Sequence, residues 1–265
     1  MKKFISLILV LALSVFVFAA CGNEAKQEEN TNTDAEALTS AYKGTYETIK
    51  MATNAAFPPY EYKDGENFAG IDVEIAGAIA EELGGTLEIV DMEFDSIITS
   101  VDQGEVDFGM AGMTVTDERK EQVDFTSSYA TGVQSVIISE GSAIATLDDL
   151  AGKKIGVQLG TTGDIYSCDD FGEENVTKYG KGADAVIALK GGDVDAVIID
   201  NEPAKAFVEA NEGLQILGTD YAIEDYAIAV KKGNTTLLDD INKALEKLTE
   251  DGTVDKIVAK YIKAE

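Results

Sequence analysis

The chain has 265 residues, 49 acidic against 21 basic, and a formal net charge of −28. Such a surface excludes nucleic acid, whose affinity depends on neutralising phosphates with Lys and Arg, and it is repelled by anionic lipid headgroups. Histidine and tryptophan are absent, which excludes a His-containing triad, a His-ligated zinc site and a His general base. No catalytic residue, metal site or cofactor is expected.

In chain order, Lys2 and Lys3 come first, then an apolar run from Phe4 to Ala20 broken only by Ser6 and Ser14. The run closes in Ala19 and Ala20 directly before Cys21. Charge, apolar run and small residues form the layout of a secretory signal. An uncleaved anchor is the other reading, since the run is just under the length that spans a bilayer. Cys21-Gly22 resembles a bacterial lipoprotein signal, in which the cysteine is lipidated and becomes the new N-terminus; Phe18 stands where that motif usually has Leu. The resemblance implies a signal peptide over residues 1–20 and a palmitate-type anchor on Cys21, holding the chain at the extracytoplasmic face of the cell membrane. Residues 21–44, rich in Asn, Glu, Gln, Thr and Ala, have no apolar periodicity and read as a flexible tether.

From residue 45 on, short apolar runs alternate with amphipathic stretches, the pattern of an α/β protein. A strand is predicted over 48–53. A helix follows over 71–83, where Ile71, Ile75, Ile79 and Leu83 recur every four residues and Gly84-Gly85 stops it. A strand over 86–92, a helix over 95–103 and a buried strand over 106–113 complete the first set. Thr146 with Asp149 then reads as a capping box. It opens a second set: strand 154–158, a helix from about Thr161, a strand near Val176, helix 183–190, strand 194–200 and helix 202–210. A helix bearing Leu237, Ile241, Leu245 and Leu248 runs to Gly252, and a short one over 254–262 follows. The stretch from Gln103 (Gln-Gly-Glu-Val-Asp-Phe) is echoed from Gly191 (Gly-Gly-Asp-Val-Asp-Ala), which suggests two similar lobes. Open α/β sheets bind ligands at the carboxyl ends of their strands, so two facing lobes make a cleft. The apolar extended runs 135–139 and 225–231 are placed at the edges of the second set, as the two crossings of a hinge. Lobe 1 is then expected over 45–136 plus 229–265 and lobe 2 over 137–228, in a monomer.

Four segments carry candidate chemistry. Asn54 to Tyr60 follows a strand, its Phe57 and Tyr60 being either cleft aromatics or packed loop residues. In Thr114-Val-Thr116-Asp-Glu-Arg119, Thr116 can cap a short helix. Arg119 is either a solvated surface charge or a guanidinium fork for a carboxylate. Gln158-Leu-Gly160-Thr161-Thr162-Gly163 opens a helix whose N–H groups suit an anion, without the Gly-Lys-Ser/Thr ending of a nucleotide loop. Asp200 ends Val-Ile-Ile-Asp, where a carboxylate is either a helix cap or a ligand acceptor. Cys168 reads as a small, partly buried residue.

Ala-Thr-Asn54-Ala-Ala-Phe57-Pro-Pro-Tyr-Glu-Tyr, Gly-Ile-Asp-Val-Glu-Ile-Ala, Ala-Gly112-Met-Thr114-Val-Thr-Asp-Glu-Arg119-Lys and Ile-Gly-Val-Gln158 with Gly-Thr-Thr162-Gly stand in order over 46–263. Together they resemble the family 3 extracellular solute-binding proteins, which serve bacterial ABC importers of polar amino acids. The resemblance implies a two-lobed, type II periplasmic-binding-protein-like α/β fold, each lobe a mixed sheet flanked by helices. It also implies a hinge of two segments, an ABC transporter permease as partner, and capture of a free amino acid by lobe closure. It places the ligand carboxylate on Arg119 and Thr162, backbone and hydroxyl contacts at Gly112 and Thr114, the ligand ammonium on Asp200, and Phe57 and Phe94 beside the side chain. Asn54 stands where several binders of basic amino acids carry Asp, whereas Gln158 with Thr-Thr-Gly resembles arginine- and lysine-binding members. The implied ligand is a polar amino acid, with a basic one ahead. The same fold also hosts a cyclohexadienyl-type dehydratase, the enzymatic alternative.

Overall fold

The computed structural model describes residues 46–263. The signal peptide, the lipidation at Cys21 and the tether expected from the sequence lie outside the described residues. No helix among the described residues is long and apolar enough to cross a membrane.

The first part of the chain runs β1 (Thr48–Thr53), β2 (Ala56–Phe57), β3 (Glu61–Asp64), β4 (Asn67–Ala69), α1 (Ile71–Glu82) and β5 (Thr86–Asp91). A 3-10 turn at Phe94–Ser96 leads into α2 (Ile97–Gln103), followed by β6 (Phe108–Gly109), α3 (Asp117–Gln122) and β7 (Val123–Phe125). Then come β8 (Ala130–Ser139), β9 (Ile155–Gln158), α4 (Thr162–Phe171), β10 (Val176–Tyr179), α5 (Gly182–Gly191), β11 (Ala196–Asp200) and α6 (Asn201–Ala210). The chain closes with β12 (Leu214–Ile216), β13 (Ala222–Tyr226), β14 (Ala229–Lys231), α7 (Thr235–Glu250) and α8 (Thr253–Tyr261).

Two mixed sheets result. The first has the order β5-β1-β6-β14-β7, with β1 parallel to β5 and β6, and β14 antiparallel to its neighbours. The second has the order β10-β9-β11-β8-β12, with β13 also on β8; β9, β10 and β11 are parallel and β8 runs against β11. Period-two burial drives β1: Ile49 and Met51 pack with Ile71, Ile75, Ile79 and Leu83 of α1, while Ala52 packs with Ile97 and Val101 of α2. Each such buried aliphatic contributes about 1.5–3 kcal/mol, so the four-residue spacing in α1 is enough to fix that helix against the sheet.

Two expectations change. The predicted strand over 106–113 pairs as a strand only at Phe108–Gly109; Met110, Ala111 and Met113 stay buried, but Gly112 turns at φ 53. That turn aims the Gly112 N–H at Asp72 Oδ2, 2.8 Å away, which a continuing strand would not allow. The run 135–139 falls within β8, and the run 225–231 holds the end of β13 and all of β14. β8 lies between β11 and the β12/β13 pair, and β14 lies between β6 and β7. β8 joins the second sheet at Ala130, so the boundary expected at 136/137 falls inside it. The two segments that link the sheets run side by side, tied by Thr126 N–H to Ile228 O (3.0 Å) and Tyr129 N–H to Tyr226 O (3.0 Å), the second within the run 225–231. At this hinge, a Cβ on Gly132 would stand 2.3 Å from the Tyr226 ring, so only glycine lets the two crossings approach.

Candidate functional site

A cavity lies between the two sheets, at the carboxyl ends of β1, β9 and β11, leaving about 310 Å³ of space between atoms with open solvent at its mouth included. The first sheet's side gives it Asn54 and Phe57 after β1, Phe94 from the 3-10 turn, Gly112 and Thr114 after β6, and Arg119 from α3. The second gives it Gln158 at the end of β9, Thr162 at the start of α4, and Asp200 at the end of β11. All nine residues singled out from the sequence therefore meet on one wall or the other. Glu61, Ala111 and Thr161 line it too.

Arg119 is not a solvated surface charge. Thr116 caps α3 by accepting from Arg119 N–H at 3.1 Å, which turns the side chain inward, where the residue is 5% exposed. Its Nη1 donates to Thr114 O (2.7 Å) on its own side and its Nη2 to Gly160 O (3.0 Å) across the cleft, with the guanidinium 5.4 Å from the centre of the Phe94 ring. Burial lowers its pKa, and Glu224 opposes that shift most strongly. It remains a cation, since a guanidinium starts far above neutrality.

Two more contacts span the cleft: Gln158 Nε2 donates to Asn54 Oδ1 (3.0 Å), and the Thr114 and Thr162 hydroxyls stand 3.5 Å apart. Gly160 takes φ 77, and a Cβ there would come 2.9 Å from Asp95 Cβ on the opposite wall. Thr161 caps α4 through its Oγ1, which accepts from Asp164 N–H (3.3 Å).

Asp200 sits at the N-cap position of α6, yet makes no side-chain cap bond. Its Oδ2 accepts from Gln134 Nε2 (2.8 Å), and the same nitrogen donates to Glu224 Oε2 (2.9 Å), which also accepts from Thr162 Oγ1 (2.9 Å). Asp200 Oδ1 and Glu224 Oε1 meet no donor. Burial, reinforced by Glu224, holds the Asp200 carboxyl well above its ordinary range. On the first wall, Glu61 and Asp72 form a second buried carboxyl pair. Asp72 Oδ2 accepts from Gly112 N–H and from Tyr129 OH (2.7 Å), while Glu61 Oε2 and Asp72 Oδ1 meet no donor. Burial raises both, Asp72 to about 6 and Glu61 well above the usual carboxylate range.

Glu61, Asp72, Gln134 and Glu224 escaped the sequence reading as site residues. Glu61 had a signal, an acid between two tyrosines directly after Pro58-Pro59. Gln134 and Glu224 gave none, because their strands place polar side chains inward. The Asp164 carboxylate, with Lys178 (3.0 Å) and the Cys168 thiol (3.4 Å) on it, belongs to the α4 face and not to the cavity.

The model of the bacterial extracellular solute-binding proteins, family 3, matches residues 49–264. The chain belongs to this family. The family 3 protein is 35% identical over 275 residues to the arginine-binding extracellular protein ArtP of Bacillus subtilis (strain 168), covering 100% of both chains. It is 30% identical to the ABC transporter glutamine-binding protein GlnH of the same organism, over 99% of this chain and 98% of the relative. Among solved structures it matches the arginine-, lysine-, histidine-binding protein ArtJ from Geobacillus stearothermophilus, with TM-score 0.79 and 32% identity, over 83% of this chain and 96% of that one. It matches an ancestral arginine-binding protein bound to glutamine with TM-score 0.78 and 42% identity, over 82% and 98% respectively. The fold of this family 3 protein is accordingly two-lobed and type II periplasmic-binding-protein-like, with the cavity between lobe 1, built on the first sheet, and lobe 2, built on the second.

Proposed function

We propose that this family 3 protein captures a free basic amino acid between its lobes for an ABC importer. One observation carries the reading: among the described residues, Arg119 is the single cation lining a cavity that Asp200 and Glu61 also line, with Glu224 behind Asp200. An α-carboxylate matches the guanidinium, Thr162 and the N–H groups at the start of α4. An α-ammonium matches Asp200 Oδ1 and Glu224 Oε1, which otherwise meet no donor. Phe57 and Phe94 form the apolar walls for the side chain, with Gly112 and Thr114 giving backbone and hydroxyl contacts. A cationic side-chain end then matches Glu61, and a site with this many carboxyls favours a ligand of net positive charge. Because Arg119 and Asp200 sit on different lobes, the ligand favours the closed form by touching both.

The relatives named for arginine and for arginine, lysine and histidine support the basic ligand. A neutral polar side chain such as that of glutamine is the second reading, favoured by the uncharged Gln158–Asn54 pair on the wall and by the relatives named or solved with glutamine. The lipid anchor on Cys21 and the permease partner complete the proposal; the Cys21-Gly22 resemblance supports the first, and relatives named as ABC transporter proteins support the second. The test is thermal-shift screening of the purified protein against all free amino acids. Arginine or lysine is expected to give the largest rise in melting temperature; no rise with any amino acid sinks the proposal, and a largest rise with glutamine selects the second reading.

A further inference from the structure

The Glu61–Asp72 pair invites a question that ligand charge alone leaves open. Glu61 is 1% exposed and Asp72 is fully buried, each with a buried oxygen that meets no donor; burial first, and the Asp72 charge next, hold the Glu61 carboxyl above its ordinary range. Two ionised carboxylates in that position would repel each other and leave Glu61 Oε2 and Asp72 Oδ1 without donors. One proton between them removes both penalties. The two ends of the pair also differ. Asp72 faces inward, held by Gly112 N–H and Tyr129 OH, so its ionised form is solvated by protein donors. Glu61 faces the cavity and has no cation of its own; the Lys63 ammonium two residues on is paired with Asp91 at 2.6 Å instead.

We propose that Glu61 is a proton-exchanging specificity residue: it is a neutral acid toward an uncharged side chain, and it gives up its proton to solvent when a cationic side chain takes its place beside it. The exchange balances, one proton leaving the Glu61 carboxyl as one ligand cation arrives. The charge of the Glu61–Asp72–side chain group is therefore the same with a neutral ligand as with a cationic one. The proposal rests on the reading of the cavity as an amino-acid site whose side-chain end lies at Glu61.

The other titratable groups around Glu61 are Tyr60 on its own turn, Tyr129 just before β8, Asp200 of β11, Glu202 of α6, which acts on Tyr60, and Arg119 of α3 across the cavity. Asp200 is itself buried with a raised pKa, so an α-ammonium arriving there also expels a proton. The test must cancel that contribution. L-arginine and L-citrulline share the α-ammonium, the α-carboxylate and nearly the same shape, and differ in side-chain charge.

The experiment is isothermal titration of the protein with each ligand at pH 7 in buffers of different ionisation enthalpy. Arginine is expected to release about one proton more than citrulline. Glu61→Gln is expected to abolish that difference and weaken arginine about tenfold or more, while citrulline binding changes less than about threefold. Equal proton release by the two ligands overturns the proposal, as does a difference that survives in Glu61→Gln. Failure of either ligand to bind the unaltered protein overturns it too, and failure of both removes the basic-ligand reading beneath it, so the two outcomes are distinct.

Discussion

Each lobe of this binding protein buries two carboxyls beside the same cavity, but by different means. In lobe 2, Asp200 and Glu224 share one neutral donor, Gln134 Nε2, and keep an oxygen each for something else. In lobe 1, Glu61 and Asp72 share a proton, and Asp72 is tied to the binding loop at Gly112 and to the hinge at Tyr129. A shared amide keeps both acids available as acceptors, which suits an α-ammonium present in every amino acid. A shared proton makes the pair's charge adjustable, which suits a side chain whose charge differs between ligands. The uniform end of the ligand is matched by fixed chemistry and the variable end by titratable chemistry.

The largest expected effect breaks the fixed side. Arg119→Ala removes the carboxylate partner and leaves Thr114 O and Gly160 O without its two hydrogen bonds. Losing one partner of a buried charge pair costs about 4 kcal/mol, roughly a thousandfold in affinity. Calorimetric titration with arginine checks this, and affinity within tenfold of the unaltered protein would remove Arg119 from the site.

Next comes the titratable side. Asp72 has a native pKa of about 6 against an ordinary value of 3.8, so the folded chain binds more protons than the unfolded one in that window. Its contribution to stability is fully present below pH 3.8 and is lost as pH rises through about 6. Lowered carboxyls elsewhere, such as Asp91, act in the opposite sense, so the measurement is a difference. Urea denaturation from pH 4 to 7 is expected to show the unaltered protein losing up to about 3 kcal/mol relative to Asp72→Asn. Parallel curves would mean that burial does not raise the Asp72 carboxyl.

How far the sequence reaches follows the same division. Strand β1 and helix α1 were legible because period-two and period-four burial leave a direct trace, as in Ile71, Ile75 and Ile79. On the fixed side, local pattern left Arg119 and Asp200 open between surface charge or helix cap and ligand contact; the family resemblance singled them out with Thr162, and all three line the cavity. The supporting acids did not show. In β13, Ile223 is 71% exposed while Glu224 is 6% exposed, the reverse of what hydrophobic alternation indicates. No local pattern reveals a glutamate turned inward toward a partner 90 positions away in sequence. The apolar runs that suggested the crossings do not separate crossing from sheet interior, since 135–139 lies within β8 while 225–231 holds both the Tyr226–Ile228 crossing and β14.

A smaller effect tests whether the amide bridge is what keeps the lobe 2 pair apart from lobe 1 in kind. Gln134→Leu leaves Asp200 Oδ2 without its donor, while Glu224 Oε2 keeps only Thr162 Oγ1. Stability is expected to fall by about 2 kcal/mol, read by urea denaturation at pH 7, with a steeper dependence on pH as the two acids begin to share a proton. An unchanged pH slope would show that the two pairs are already alike.

The smallest change concerns the neutral wall. Asn54 donates to Met92 O (2.7 Å) and accepts from Gln158 Nε2 (3.0 Å), so Asn54→Asp keeps the second bond and loses the first. The lost bond costs about 1 kcal/mol for every ligand alike, and the added charge acts on the side chain alone. Absolute affinities can therefore move either way, whereas the ratio of arginine to citrulline affinity isolates the side-chain term. That ratio is expected to rise about fivefold, or about 1 kcal/mol, when both ligands are titrated into the variant and the unaltered protein. A fivefold rise places Asn54 beside the ligand's side chain and makes it a second point where charge preference is set. No rise confines that preference to Glu61, and the contrast between fixed and titratable ends then rests on one residue in lobe 1.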